Sequence, residues 1–353
     1  MAPVLLALTI FFVAAPVSAE MTLPPGFTAE RYVTGQGFDP NTDRGSPGLP
    51  AMATIALDAA GALYLAKTPF RFREDPGDAL GPIYRIPAGG ARITRDTESR
   101  YRYGPPLWNP DVAGINAQGE VFVSTYERER RIGAVYRLRN GRAVFFAGGT
   151  PPSGSPPLLM DPEAVAFDGS GNVYILDREQ GIVVKLDPTG KVLAPRYLTA
   201  LGRGRSLAFD MEGQLWIGSD GPAGGPFQDG SGHIWKADPN GVLTLVLRGP
   251  LPAGMSLGPG GGLFVALRLA GKILALSPDG RQIEFAGFAD TILRALVFAP
   301  DTEETRRAGI AGNLFVVVSP RMNFVVSEVI RISGPFDDFT RREVRVPPSR
   351  SQR

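Results

Sequence analysis

Apolar and polar residues alternate in short bursts along most of this chain, and the bursts are separated by Gly, Asp, Asn and Pro. The clearest stretch is PEAVAFDGSGNVYILDREQGIVVKLDPTGKVLAPRYLT, from Pro162 to Thr199. Period-two alternation bounded by turn residues predicts strands over 163–167, 172–176, 181–186 and 192–198. Asp168-Gly169-Ser170-Gly171 and Asp187-Pro188-Thr189-Gly190 supply tight turns after the first and third of these. Four antiparallel strands in about 40 residues make one propeller blade.

The same grammar recurs, each time anchored on the glycine of the first turn: Gly61 in DAAGALYLA, Gly119 in NAQGEVFVS, Gly171, Gly213 in DMEGQLWIG, Gly261 in GPGGGLFVA and Gly312 in GIAGNLFVV. Third strands repeat as GPIYRIP from Gly81, GAVYRLR from Gly133, GHIWKAD from Gly232 and GKILALS from Gly271. The last blade is expected to end with EVIRIS from Glu328 and EVRVP from Glu343. Six anchors in register predict an all-β chain: a six-bladed β-propeller of four-stranded antiparallel blades over 51–347, after an N-terminal segment (20–50) and before a disordered tail (348–353). Inserted loops at 68–80, 148–157, 218–230 and 301–311 explain the unequal spacing of the anchors.

Composition agrees, with 44 Gly and 33 Pro in 353 residues, and it narrows the chemistry. Lys and Arg number 37 against 35 Asp and Glu, and this net charge of +2 gives no handle for nucleic acid or an anionic membrane. The absence of Cys removes disulfides, thiolate metal sites and a cysteine nucleophile. An apolar run over 4–15, then Pro16 and Val17-Ser18-Ala19, has the form of a secretory signal peptide covering 1–19. It is shorter than the roughly 20 apolar residues of a membrane span. The expectation is an exported protein, periplasmic or extracellular, with no membrane span after cleavage; an uncleaved anchor is the alternative.

The blades resemble NHL repeats, and the mature length resembles six-bladed propellers of the regucalcin/gluconolactonase-like (TolB-like) superfamily, strictosidine-synthase-like proteins among them. The opening LPPGFTAERYVTG, from Leu23 to Gly35, also resembles the first segment of soluble quinoprotein sugar dehydrogenase-like propellers. The resemblance implies a ring-closing N-terminal strand against the last blade, for which 27–33 is the candidate. Such folds host binding modules and enzymes alike, so function must come from the mouth of the central channel.

The repeat register says which residues reach that mouth. Eight positions before each anchor glycine, where the innermost strand begins, stand Ala53, Asp111, Glu163, Arg205 and Ala253, with Arg294 aligned through its strand. Six positions after the glycine stand Lys67, Thr125, Asp177, Ser219, Leu267 and Val318, with Asp220 and Arg268 one residue later. The two acids of the ring could pair with its two arginines and plug the channel. Alternatively Arg205 and Arg294, helped by Lys67 and Arg268, clamp a carboxylate or phosphate ligand through paired N–H donors. Asp111, Glu163 or Asp177 would then hold its hydroxyl groups or act as a general base. A third role follows from the resemblance to calcium-dependent propeller lactonases, whose metal is held by Glu, Asn and Asp at these positions. Asp111, Glu163 and Asp177 would be the ligands here. Against it stand two permanent arginine charges in the same ring and the lack of the Asn ligands at the blade starts.

The single histidine, His233, falls on a third strand away from the axis. That weighs against the histidine base of a quinoprotein dehydrogenase, a histidine-dependent lyase and a Ser-His-Asp triad. For strictosidine-synthase-like chemistry Glu163 is the nearest candidate acid. The ERERR run at 127–131 reads as a solvated loop tip on the mouth side, and the Gly-rich stretch 218–232 as a lid without the ending of a phosphate loop. Trp216 and Trp235 read as packing residues and Trp108 as bordering the mouth. Together these features describe a module binding a small anionic or lactone-like ligand, or a protein partner, on its mouth face. The alternative is a lactone or ester hydrolase with calcium as its candidate cofactor.

Overall fold

The computed structural model describes residues 20–35, 49–50, 52–67, 80–94, 96–127, 129–222, 230–249, 251–278, 280–321 and 326–340. The proposed leader, the first-blade insertion up to residue 79, the EVRVP segment and the tail lie outside these residues. Among the described residues no helix is long and apolar enough to cross a membrane.

Each blade grows outward from an inner strand. The inner strands Met52–Leu57, Asp111–Ile115, Pro162–Phe167, Gly204–Phe209, Pro252–Leu257 and Thr291–Phe298 pack side by side in that order, the last against the first, and so close a six-membered ring. Each then turns back antiparallel into a second strand, through a tight turn at the anchor glycine in blades 1 to 5 and, in blade 6, through a longer connection that carries the helix Glu303–Arg307 before Gly312. All six anchor glycines have left-handed φ, between +68° and +83°. A side chain there would cost about 1–2 kcal/mol, which is why the repeat is written around glycine. The turn acid completes the motif. Asp168 accepts from the N–H groups of Ser170 and Asn172 (2.9 Å each) and from the Tyr174 hydroxyl (3.1 Å), and Asp210 accepts from Trp216 Nε1 (2.9 Å).

Blades 2, 3 and 4 are plain four-stranded meanders. Blade 1 corrects the expected pattern. Its sheet has the strands Met52–Leu57, Leu63–Lys67 and Ile83–Ile86, while Ala91–Ile93 leaves it to pair in parallel with the end of Thr28–Gly35. The vacated outer place is taken by residues 101–103, through Arg85 N–H to Tyr101 O (2.7 Å) and Tyr103 N–H to Ile83 O (2.8 Å). Blade 5 gains an outer strand, Met21–Thr22, and in blade 6 the strand Thr28–Gly35 lies antiparallel on Val326–Ser333 as its fourth member.

Six apolar clusters fill the six interfaces between neighbouring blades. Because each blade is buried on both faces, its middle strands are apolar on both sides, as in the fully buried Val173–Asp177. A knot of rings adds a further tie: Phe27 meets Phe285, Phe336 and Phe339 edge-on at 5.0, 4.9 and 5.7 Å, joining the N-terminal segment to the last helix, Phe336–Phe339.

Candidate functional site

The inner strands are not regular at their mouth ends. In blade 3, Pro162 pairs with Asp177 and Ala164 with Leu176, so Glu163 is left over as a bulge. The same skip leaves out Arg205, Ala253 and Arg294 in blades 4, 5 and 6, and Ala53 with Thr54 in blade 1. A bulge releases a residue from the ladder and re-aims its side chain, so the fold itself turns Glu163, Arg205 and Arg294 out of their sheets. Blade 2 differs: its skip falls at Ala113, and Asp111 keeps its place opposite Ser124.

These side chains meet across blades. Arg205 Nη1 donates to Glu163 Oε1 of the neighbouring blade, and its Nε lies 3.1 Å from Asp220 Oδ2. Glu163 and Asp220 are 8% and 4% exposed. Arg178 Nη1 approaches Asp161 Oδ2 at 3.6 Å and Glu163 Oε2 at 3.8 Å. On the other side of Glu163, Asp111 accepts from Thr54 Oγ1 (3.3 Å), which itself accepts the Val112 N–H (2.8 Å).

Burial and charge then set the protonation of the cluster. Burial favours the neutral form of Glu163, but Arg205, Arg178 and Arg268 together outweigh it and hold the carboxyl below its ordinary range. Burial also opposes the charge of Arg205, and Glu163, Asp220, Asp111 and Asp161 more than restore it. Burial and the negative charge of Glu163 push Asp111 up to about 8 and Asp161 up to about 7. Asp220 is raised by burial despite Arg205 and Arg268. On the far side, burial and repulsion from Arg205 and Arg294 bring Arg268 down to about 9, and burial with Arg205 brings Arg294 down to about 10.

The structure thus brings Asp111, Glu163, Arg205, Arg268 and Arg294 into one electrostatic unit. Asp177 is not part of it in the same way: its oxygens accept the N–H groups of Met160 (2.5 Å), Asp161 (3.1 Å) and Gln180 (2.8 Å), so this fully buried carboxylate pins the loop that precedes Glu163. Lys67 ends the second strand of blade 1 opposite Met52, and its side chain lies outside the described residues. Three charged residues escaped sequence reasoning. Arg178 occupies the register of Asp220 and Arg268, one residue beyond the second strand. Asp161 and Arg203 stand two residues before Glu163 and Arg205, where an acid and a base repeat the same offset.

Other expected features have local partners. His233 lies opposite Ser219 and Arg248, stacks on Trp235 at 5.6 Å, and has its pKa lowered by burial and by Arg248. Trp108 is 42% exposed on the strand Leu107–Trp108, which pairs with Leu80–Gly81. At the charged loop tip Arg130 pairs with Glu127 (2.9 Å), and Arg131 reaches Glu179 of the next blade.

Calcium takes six to eight oxygen ligands as a rule, and this donor set does not fit it. The Arg205 guanidinium contacts both Glu163 and Asp220, and Asp177 is occupied by backbone N–H groups. Among the described residues no group of three or more His, Cys, Asp or Glu is arranged to hold a metal ion.

A closed ring of six antiparallel blades defines the class, a six-bladed β-propeller. No protein-family profile matches the chain, and neither does any curated protein sequence. Among solved structures, a gluconolactonase from Xanthomonas campestris is similar with a TM-score of 0.55 at 12% identity, over 89% of this chain and 99% of that one. A putative gluconolactonase matches with a TM-score of 0.54 at 15% identity, over 88% and 93%. A PQQ-bound aldose sugar dehydrogenase from Streptomyces coelicolor matches with a TM-score of 0.53 at 13% identity, over 88% and 99%. These likenesses establish the fold; the chemistry of the mouth is this chain's own.

Proposed function

We propose that the protein is an exported binding module that takes a small anion of the carboxylate type into its propeller mouth. The observation that carries this reading is the placement of Arg294, the bulged residue of its inner strand, and Arg268, just beyond the second strand of the adjacent blade, around Arg205. Burial lowers the pKa of both, with repulsion from Arg205 adding to it at each and repulsion from Arg294 adding to it at Arg268. A carboxylate placed between them offsets that repulsion and receives paired N–H donors. Asp111 and Asp161, protonated through much of the neutral range, add O–H donors rather than further negative charge. Calorimetric titration of the protein over 20–353 with gluconate and related hydroxy acids, against neutral glucose, tests the reading. Binding of the acids, weakened at high salt and lost in Arg268→Ala, is expected. Equal response to acid and neutral sugar, or none to either, removes it. Export is tested separately by sequencing the N-terminus of the protein recovered from outside the cytoplasm.

One observation favours a second reading. Asp111, raised to about 8 and bonded to Thr54, is a carboxylic acid that still holds its proton near pH 7, as a general acid requires. With gluconolactonases among the structural neighbours, lactone or ester hydrolysis is the reaction to assay. Turnover of glucono-lactone above background, lost in Asp111→Asn while the melting temperature holds, would make the protein a hydrolase.

A further inference from the structure

We infer that Arg205 is the resident cation of the mouth: its guanidinium fills the anionic slot between Glu163 and Asp220 and lets the mouth work without a metal ion. The slot is built from two blades. Glu163 is the bulged residue of one inner strand, and Asp220 follows the second strand of the next blade. Both acids are almost wholly buried, so water does not balance their charge. Arg205 Nε lies 3.1 Å from Asp220 Oδ2, and its charge acts on Asp220 more strongly than that of Arg268 or Arg178. Arg suits this place better than Lys does, because its planar fork presents N–H groups along two edges and so touches both acids at once. The charge is also tethered. Arg205 is itself the bulged residue of strand Gly204–Phe209, so an incoming divalent ion would compete with a cation already fixed at its ligands. The further acids nearby have partners of their own: Asp111 accepts from the Thr54 hydroxyl, Asp161 lies 3.6 Å from Arg178 Nη1, and Asp177 is tied to backbone N–H groups. This inference is independent of which ligand enters the mouth.

The test removes the cation and offers replacements. Arg205→Ala removes the cation in contact with both buried acids, and its Tm is expected to fall by roughly 5–10 °C. Ethylguanidinium restores the atoms the substitution removes, so at millimolar concentration it should raise the variant's Tm, whereas neutral ethylurea and calcium should not. The unmodified protein should melt at one temperature in calcium and in chelator. The inference is overturned if calcium raises the Tm of the unmodified protein, if calcium rescues the variant as well as ethylguanidinium does, if ethylguanidinium acts no better than ethylurea, or if Arg205→Ala melts like its parent. Should Arg205→Ala fail to accumulate, Arg205→Lys keeps the charge without the fork. It is expected to melt below the parent, and equality with the parent, or a calcium-dependent rise in either protein, overturns the inference equally.

Discussion

The two ends of blade 3 each hold an acid, half-buried Asp168 at the turn and buried Glu163 at the mouth, and satisfy it in opposite ways. At the turn end Asp168 is satisfied by groups within six residues: two backbone N–H groups, the Asn172 amide and the Tyr174 hydroxyl. At the mouth end Glu163 is balanced by Arg205, 42 residues away on another blade. The turn-end acid needs only its own hairpin, and Asp58 and Asp210 repeat it in blades 1 and 4 with the same local acceptance of backbone N–H groups. The mouth-end acid needs the closed ring, since its partner arrives only when blade 4 docks on blade 3. Local satisfaction builds the scaffold; long-range satisfaction leaves charged groups poised where blades converge.

The sharpest way to break this comparison is to remove one acid at the mouth. Glu163→Ala removes one of the two acids that contact the buried Arg205 guanidinium, and breaking a buried pair in this way costs about 3–5 kcal/mol, read as a shift of the denaturant midpoint. A loss below about 1 kcal/mol would place the mouth pair with ordinary surface ion pairs. The pH dependence comes next, because the two ends should respond with opposite sign. Asp111 and Asp161 keep their protons up to about 8 and about 7 in the folded protein, against roughly 3.9 for a free Asp. Across that window the folded state binds more protons than the unfolded one, so stability falls as pH rises from about 5 to 8. At Asp168 burial is outweighed by its hydrogen bonds and the pKa is lowered. Its contribution is therefore present at neutral pH and lost as pH falls below about 4. Melting curves across pH should show the decline above 5 flattened by Asp111→Asn, and the acid-side decline lessened by Asp168→Asn.

Asp168→Ala should cost less than the mouth substitution, about 1–3 kcal/mol, because it orphans donors of which several can still reach water at the blade rim. A cost equal to that of Glu163→Ala would mean that the turn motif, too, depends on the neighbouring blades.

The same contrast explains what could be read from the sequence. The turn end is written within a few residues, as a glycine with an aromatic three positions on in all six blades and an acid three positions before it in blades 1, 3 and 4, so six blades were legible from their anchors. The positions of Glu163 and Arg205 were legible as well, because the anchor register carries over to the bulge, and Arg294 could be placed only by aligning its strand across the insertion before Gly312. Which of them touch was not, since the Arg205–Glu163 contact depends on how two blades dock. Blade 2 shows the limit of the register. Its bulge has moved to Ala113, next to Gly114, where a Cβ would come within 2.5 Å of the Val165 carbonyl of blade 3, a close approach that only the assembled ring defines. The departure of Ala91–Ile93 from blade 1 was hidden for a similar reason: its partner, Val33–Gly35, belongs to blade 6, which meets blade 1 only when the ring closes.

The smallest effect is expected at a charge pair that belongs to neither end. Lys272 Nζ lies 2.8 Å from Glu284 Oε2, as close as many pairs in the mouth, but the two side chains are 47% and 58% exposed. Water already solvates both partners there, and the entropy of holding two long side chains together offsets the Coulomb gain. Lys272→Ala should therefore shift stability by less than about 0.5 kcal/mol, and the shift should vanish in high salt. Distance alone does not separate this pair from Arg205–Asp220 at 3.1 Å. Desolvation does, and a large cost for Lys272→Ala would show that burial by neighbouring blades is not what gives the mouth charges their weight.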